Sequence, residues 1–265
     1  MLDKLHKNRL SKSRPDKSSI YTNVYMSYTR TDYDKLYDDV VVMIPTLNEA
    51  GAIGKTIKDV QDHVPGCRIV VVDSYSGDGT GDIATKTGAT VVLAPRGGKG
   101  LAVRSALPGI LSQDPCSKPF AKLVMIDGDF TYPALYIQGA VRFLDTGSDV
   151  VMGYRSKREP GAMSRINVIG NWGLSVIAGM VSRMMVKDVC TGLWGFRVDA
   201  LKRFQLTGDK FTLEADLFTQ AVRTKCKIKQ MPIGYRARLE HSVTHLGVRD
   251  GLDIAAFLVK ERFRS

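Results

Sequence analysis

The sequence predicts an α/β protein built on a mostly parallel, doubly wound sheet flanked by helices, and three observations carry that expectation. Short continuous apolar runs recur, VVVMIP from Val40, RIVVVD from Arg68 and KLVMID from Lys122, without the polar alternation of a strand that has one wet face. Stretches with apolar residues at helical spacing lie between them, as at Ile53, Ile57 and Val60. The segments after the runs are rich in Gly, Asp and Pro, and in such sheets ligands sit at the carboxyl ends of the strands.

Taken in order, Val40–Pro45 is the first buried strand, followed by a helix within TLNEAGAIGKTIKDVQDH. RIVVVD is the second strand, SYSGDGTGDIATKTG a Gly-rich turn leading into a short helix, and ATVVLAP the third strand. RGGKGLAVRSALPGIL is a loop and helix start, and AKLVMIDGD the fourth strand. Beyond it DVVMGYRS reads as a strand and MSRINVIGNWGLSVIAGMVSRMMV as a long helix. TGLWGFR reads as a turn or strand, TLEADLFTQAVRTK as a helix and KIKQMPIGYRAR as a strand. An amphipathic basic helix closes the chain. The expected organisation is a polar, basic extension over 1–38, one α/β domain over 39–245 and the C-terminal helix over 246–265.

A chain of 265 residues, 44% hydrophobic and 25% charged, is large enough for a proper core. Its net charge of +11 calls for an anionic partner: nucleotide phosphates, nucleic acid or acidic lipid headgroups. Basic residues do not interleave with aromatics as on a base-stacking platform, and no helix-turn-helix or zinc pattern occurs, which argues against nucleic acid. Cys67, Cys116, Cys190 and Cys226 are scattered and read as reduced thiols of a cytoplasmic protein. No signal-peptide core and no charge-free apolar segment of about 18 residues is present, so the sequence shows no obvious spanning helix, and a peripheral position on a membrane is compatible with it.

Four clusters carry chemistry. Asp127 and Asp129 end an apolar strand one residue apart; hard cations such as Mg²⁺ or Mn²⁺ take carboxylates together with substrate phosphates, and the alternative is a solvated strand-end turn. Asp73 and Asp78 flank a Gly-rich turn, where a strand-end carboxylate can accept from a nucleobase N–H or cap the next helix. Asn48 and Glu49 precede a helix, and capping is the expected role for Asn48. Lys99, among glycines in PRGGKG, suits a phosphate without forming a Walker loop. A dinucleotide-binding dehydrogenase would want Gly-x-Gly-x-x-Gly after the first strand, where Pro45-Thr-Leu-Asn-Glu49 stands instead.

These segments, in this order, resemble the family 2 glycosyltransferases of GT-A fold: IPTLNEA, VVDSYSGDGT with Ser74 at the usual second Asp, RGGKGLAVRSAL and MIDGDFTYPA. VMGYRS, SRINVIGN, TGLWGFR, FTLEADLF and MPIGYRARLEHS are similar to the dolichol- or polyprenyl-phosphate hexosyltransferases. The resemblance implies that Pro45, Glu49 and Asp73 hold the base and ribose of a UDP- or GDP-hexose, and Asn48, Asp78 and Lys99 join them as candidate substrate-binding residues. It implies Mg²⁺ or Mn²⁺ and the diphosphate at Asp127 and Asp129, and a lipid phosphate facing Arg155 and Arg165, with Arg238 and Ser242 on the closing loop. Where the family reads Arg-x-Gly-x-Ser-Lys, this chain reads Arg238-Leu-Glu-His-Ser242-Val243; His241 or His245 stands in for the missing Lys, or is a solvated loop residue.

The implied reaction is inverting transfer of a hexose to a polyprenyl (dolichyl) phosphate at the cytoplasmic face of a membrane. The acceptor is already anionic, so no general base is needed. If the acceptor were a hydroxyl, as in a soluble enzyme acting on a small acceptor such as a glycerate, Glu214 or Asp216 would be the candidate base. A non-catalytic protein binding nucleotide sugar or anionic lipid is the remaining alternative.

Overall fold

The computed structural model describes residues 36–112, 119–239 and 247–262. Four strands form the first half of the sheet: β1 (Val40–Thr46), β2 (Arg68–Asp73), β3 (Thr90–Leu93) and β4 (Lys122–Met125). Between and after them run α1 (Ile53–His63), α2 (Thr80–Lys86), α3 (Lys99–Ser112) and α4 (Leu135–Asp145). The second half holds β5 (Val150–Arg158), α5 (Arg165–Ser182), β6 (Trp194–Arg197), α6 (Val198–Leu201), α7 (Leu213–Arg223), β7 (Ile228–Tyr235) and α8 (Val248–Arg262). A single 3₁₀ turn over Lys210–Thr212 precedes α7.

The strands form one sheet in the order β3-β2-β1-β4-β6-β5-β7. β1 pairs in parallel with both β2 and β4, so the chain winds outward from β1 and then returns to its other side. That reversal opens a crevice at the carboxyl ends of β1 and β4, where the residues after Ile44 and Met125 emerge. β6 is antiparallel to both neighbours, while β5 and β7 are parallel. The mostly parallel, doubly wound expectation holds; the reversed β6 settles TGLWGFR as a central strand.

All seven residues of β1 are buried, because helices cover both faces of the sheet. The strand period of two sorts its side chains cleanly. Val41 and Met43 join a layer with Leu123, Met125, Trp194, Phe196, Leu174 of α5 and Leu258 of α8. Val40, Val42 and Ile44 join the opposite layer with Ile53 and Ile57 of α1 and Ile137 of α4. Each fully buried aliphatic side chain contributes about 1.5–3 kcal/mol, so this double-sided core holds the strand ends rigidly under the crevice. No helix among the described residues is long and apolar enough to cross a membrane.

Candidate active site

Three loops at the carboxyl ends of β1, β2 and β4 each carry a non-glycine residue at positive φ: Asn48 at 55°, Tyr75 at 56° and Phe130 at 65°. Such backbone is costly unless its surroundings hold it, and here the loops hold one another. Asn48 N–H donates to Ser76 Oγ at 2.8 Å, and Gly77 N–H donates to Asn48 Oδ1 at 2.9 Å. Asp78 accepts from Ala50 N–H at 3.0 Å through Oδ2 and from Thr80 N–H at 3.0 Å through Oδ1. Asn48 therefore does not cap α1, contrary to expectation: that helix begins at Ile53 with Ala52 as its uncapped N-terminal flank. Asn48 and Asp78 latch the β1 and β2 loops together and do not line the cleft described below.

Asp73 ends β2, is buried, and accepts from Ser76 N–H at 3.1 Å and Ser76 Oγ–H at 2.5 Å. It too lies behind the cleft wall, whereas Ser74, next in sequence, lines it.

Asp127 and Asp129 rise from the end of β4, and each is paired with a cation. Lys99, the first residue of α3, places Nζ 2.5 Å from Asp127 Oδ1 and 2.5 Å from Glu214 Oε1. Burial works against the Lys99 charge, but the fields of Asp127 and Glu214 and their hydrogen bonds outweigh it and raise the ammonium above the ordinary lysine range. Arg238, beyond β7, sets Nη2 2.8 Å and Nε 3.0 Å from Asp129 Oδ2. The other oxygen, Oδ1, accepts from Thr131 N–H at 3.1 Å and Thr131 Oγ1–H at 2.6 Å. Burial opposes the Arg238 charge as well, and Asp129 more than compensates, so its pKa is raised.

Two glycines make this packing possible. Gly98 has φ 107°, and a Cβ there would lie 2.5 Å from the Cα of Lys210. Gly192, in the turn before β6, leaves no room for any Cβ, which would fall inside the Asp127 carboxylate. Its N–H donates to Tyr132 Oη at 2.6 Å, which fixes the turn against the Asp127–Asp129 loop.

Arg155, on β5, is 7% exposed and still reaches the cleft wall. Asp188 grips it in a fork, Nε to Oδ2 at 2.7 Å and Nη2 to Oδ1 at 2.7 Å. Asn171 of α5 donates to the same Oδ1 at 2.9 Å, and Cys190 carbonyl accepts from Arg155 Nη2 at 3.1 Å. A register shift against β7 between Arg155 and Lys157 re-aims the strand here, as bulges beside sites do. Arg165, by contrast, is exposed at the first turn of α5 and does not line the cleft. Burial pushes the Cys190 thiol up to about 12, so it is a neutral lining group and no nucleophile at neutral pH.

The cleft at these strand ends has a volume of about 990 Å³. Pro45, Thr46, Glu49 and Ser74 line one part, Lys99, Asp127, Asp129 and Glu214 another, and Arg155, Asn167, Asn171 and Arg238 a third. Thr46 Oγ1 is buried with no hydrogen-bond partner among the described residues. Asp127 and Asp129, two carboxylates on one strand end, are oxygen donors of the kind a hard divalent cation takes, with Glu214 across Lys99 from Asp127; no group of three or more His, Cys, Asp or Glu that could by itself hold a metal ion occurs among the described residues. That is the economy of a Mg²⁺ or Mn²⁺ site completed by substrate phosphate and water.

Of the two carboxylates on α7, only Glu214 faces the cleft. Asp216 is fully buried and accepts from Thr207 N–H at 2.5 Å and Gly208 N–H at 2.6 Å, closing the preceding loop. This corrects Asp216 as a candidate base. Ser242, with Glu240, His241, Val243 and His245, lies outside the described residues. Asp188, Asn171, Tyr132 and Gly192 are site residues that the motifs did not single out.

The geometry accords with the comparisons. Residues 41–204 match the family model "Glycosyl transferase family 2". The chain is 32% identical over 216 residues to glycosyltransferase AglJ of Haloferax volcanii, covering 81% of this chain and 69% of that one. It is 31% identical over 231 residues to the dolichyl-phosphate hexose transferase of the same organism, covering 86% and 97%. Among solved structures, glucosyl-3-phosphoglycerate synthase from Mycobacterium tuberculosis in complex with UDP superposes with a TM-score of 0.66 at 22% identity, covering 89% of this chain and 85% of that one. The same enzyme with Mn²⁺, UDP and glucosyl-3-phosphoglycerate gives 0.65 at 20% identity, covering 89% and 83%. The sheet order, the paired strand-end carboxylates and the family match converge: the chain is a glycosyltransferase of family 2, with the GT-A fold.

Proposed function

We propose that the protein transfers a hexose from a nucleoside diphosphate sugar to a polyprenyl phosphate, at the cytoplasmic face of a membrane and with inversion at the anomeric carbon. The observation that carries this reading is the arrangement of charge in the cleft. Asp127 and Asp129 share the cleft with the buried Arg155, and the one α7 carboxylate facing the cleft, Glu214, is bound to Lys99. A reaction that needs no base fits this site better than one that does. The relatives named as dolichyl-phosphate hexose transferase and, from Micrococcus luteus at 25% identity, undecaprenyl-phosphate mannosyltransferase support the acceptor class.

In this reading Pro45, Glu49 and Ser74 receive the base and ribose, with Asp73 and the Asn48–Asp78 latch holding that wall in place. Thr46 offers an unpartnered hydroxyl there. Asp127 and Asp129 would hold Mg²⁺ or Mn²⁺, which when bound offsets the negative charge of the diphosphate as it departs. Lys99 and Arg238, released from their carboxylates, are available to the phosphates. Arg155, kept planar and immobile by Asp188, orients the acceptor phosphate. One acceptor oxygen attacks the anomeric carbon, the bond from that carbon to the diphosphate oxygen breaks, and nucleoside diphosphate leaves. Catalysis rests on positioning and on preorganised charge. Arg165, exposed and outside the cleft lining, belongs to the acceptor side only as an outer contact.

A panel of UDP- and GDP-hexoses with a short-chain polyprenyl phosphate, assayed with Mn²⁺ or Mg²⁺, tests this reading; product is expected on the lipid phosphate. A second reading, a soluble phosphorylated hydroxyl acceptor such as a phosphoglycerate, is favoured by Glu214 lining the cleft, where it would act as base. Transfer to phosphoglycerate and none to any lipid phosphate would replace the first reading by the second.

A further inference from the structure

α5 has two opposed faces. Asn171, Leu174, Ser175 and Ala178 are buried and tie the helix to the sheet and to Asp188. On the other side Ile166, Ile169, Trp172, Val176 and Met180 recur every three or four residues and are 72, 67, 67, 40 and 69% exposed. A helix packed on a soluble core carries polar residues along that side. An apolar stripe of this length marks an interaction surface.

The charges around the stripe select its partner. Residues 160–187 contain no Asp or Glu, while Arg165, Arg183 and Lys187 are exposed at the two ends of the helix. α8 packs against α5 and exposes Val248 and Leu252. Its acidic Asp250 and Asp253 turn instead toward a separate cleft against Lys210 and Phe211.

We propose that the outer face of α5 is the surface on which the protein seats itself on an anionic lipid leaflet, with the helix lying in the plane of the headgroups. Apolar side chains enter the acyl boundary and the basic ends meet lipid phosphates. The inference rests on the lipid-phosphate reading above and adds the face and orientation of docking. A second copy of the chain is a poorer occupant, because a self-complementary contact would bring two uniformly basic patches together.

The chain's two tryptophans make the test direct. Trp194 is 0% exposed and Trp172 is 67% exposed, so a change in emission on adding vesicles reports Trp172. With phosphatidylcholine vesicles containing phosphatidylglycerol, the emission should shift to the blue and be quenched by brominated acyl chains. Binding should weaken on the order of tenfold as salt rises to about 0.5 M. The double variant Ile169→Asp, Met180→Asp should lose vesicle binding while keeping its melting temperature and its transfer to a water-soluble short-chain acceptor. No shift with anionic vesicles would overturn the proposal. So would a Trp172 already shielded from an aqueous quencher in the vesicle-free protein, which would mean that another part of the chain or a second copy covers the stripe. Failure of transfer to the short-chain acceptor sinks the reaction reading; intact transfer without vesicle binding sinks the docking alone.

Discussion

Arg238 donates two hydrogen bonds to a single oxygen of Asp129, Oδ2, from 2.8 and 3.0 Å, across 109 positions of sequence. A carboxylate proposed to hold a divalent ion is thus also the partner of the protein's own arginine, and the two cations compete for it. Metal and nucleotide should consequently bind together far better than metal alone. Titrating Mn²⁺ by electron paramagnetic resonance with and without UDP measures this, and Arg238→Gln should raise the affinity for Mn²⁺ in the absence of nucleotide.

Asp129→Ala should lower transfer by on the order of 10³-fold, the scale for removing a group that organises charge in the transition state. The fold should survive, because the apolar layers on both faces of β4 do not include Asp129, although buried Thr131 loses the acceptor of its amide and hydroxyl. Turnover near wild type, with an unchanged melting temperature, would remove Asp129 from the chemistry.

Asp188→Ala leaves a buried guanidinium without its fork and should destabilise the protein by about 3–5 kcal/mol. Asp188→Asn is the informative variant. It retains the shape and weakens the grip on Arg155, so the KM for the acceptor should rise while the KM for the donor stays near wild type. Equal changes in both would show that Asp188 only supports the fold.

Gly192→Ala forces a methyl group into the Asp127 carboxylate. Either the turn or the carboxylate must move, and a displacement of this kind costs on the order of 10²-fold in rate. Steady-state kinetics should show the loss, and a thermal melt should show a stability change of about 1–3 kcal/mol.

Asp216 is a test of burial rather than catalysis. Desolvation raises its pKa, and the amide hydrogen bonds from Gly208 and Thr207 only partly oppose it. A carboxyl whose folded pKa exceeds its unfolded value contributes stability that is fully present below the unfolded value and is lost as pH rises through the folded one. Asp216→Asn should flatten the stability profile just above the usual aspartate range, and leave kcat within about fivefold of wild type. A larger loss of kcat would restore Asp216 as a candidate base.

What was legible in the sequence was what the chain writes locally. β1, β2 and β4 announce themselves as apolar runs, Asp127 and Asp129 follow the last of these closely, and Lys99 stands out among the glycines of PRGGKG. Asp188 and Gly192 were not legible, for a topological reason. β6 runs opposite to its neighbours, so its amino end, and not its carboxyl end, meets the carboxyl ends of β1 and β4. The residues that matter therefore come before that strand. Asn48 misled for a different reason: a residue placed like a helix cap was recruited by Ser76 and Gly77, 28 and 29 positions away. Arg165 sits in a basic segment that resembles an acceptor site, but its position at the start of α5 turns it away from the cleft.

α5 also works as a spacer. Asn171 on its inner side holds the Asp188–Arg155 pair, and the apolar stripe occupies its outer side, so Arg155, proposed above to orient the acceptor phosphate, stands about one helix diameter, roughly 10 Å, from whatever surface the stripe touches. That height is a dimension of the catalyst. A lipid phosphate lying in the headgroup plane would have to be lifted by about that much, or the helix would have to sink by as much, before it could meet Arg155. The thickness of a single helix would then set which lipid carriers, by headgroup and by freedom to rise, this enzyme can serve.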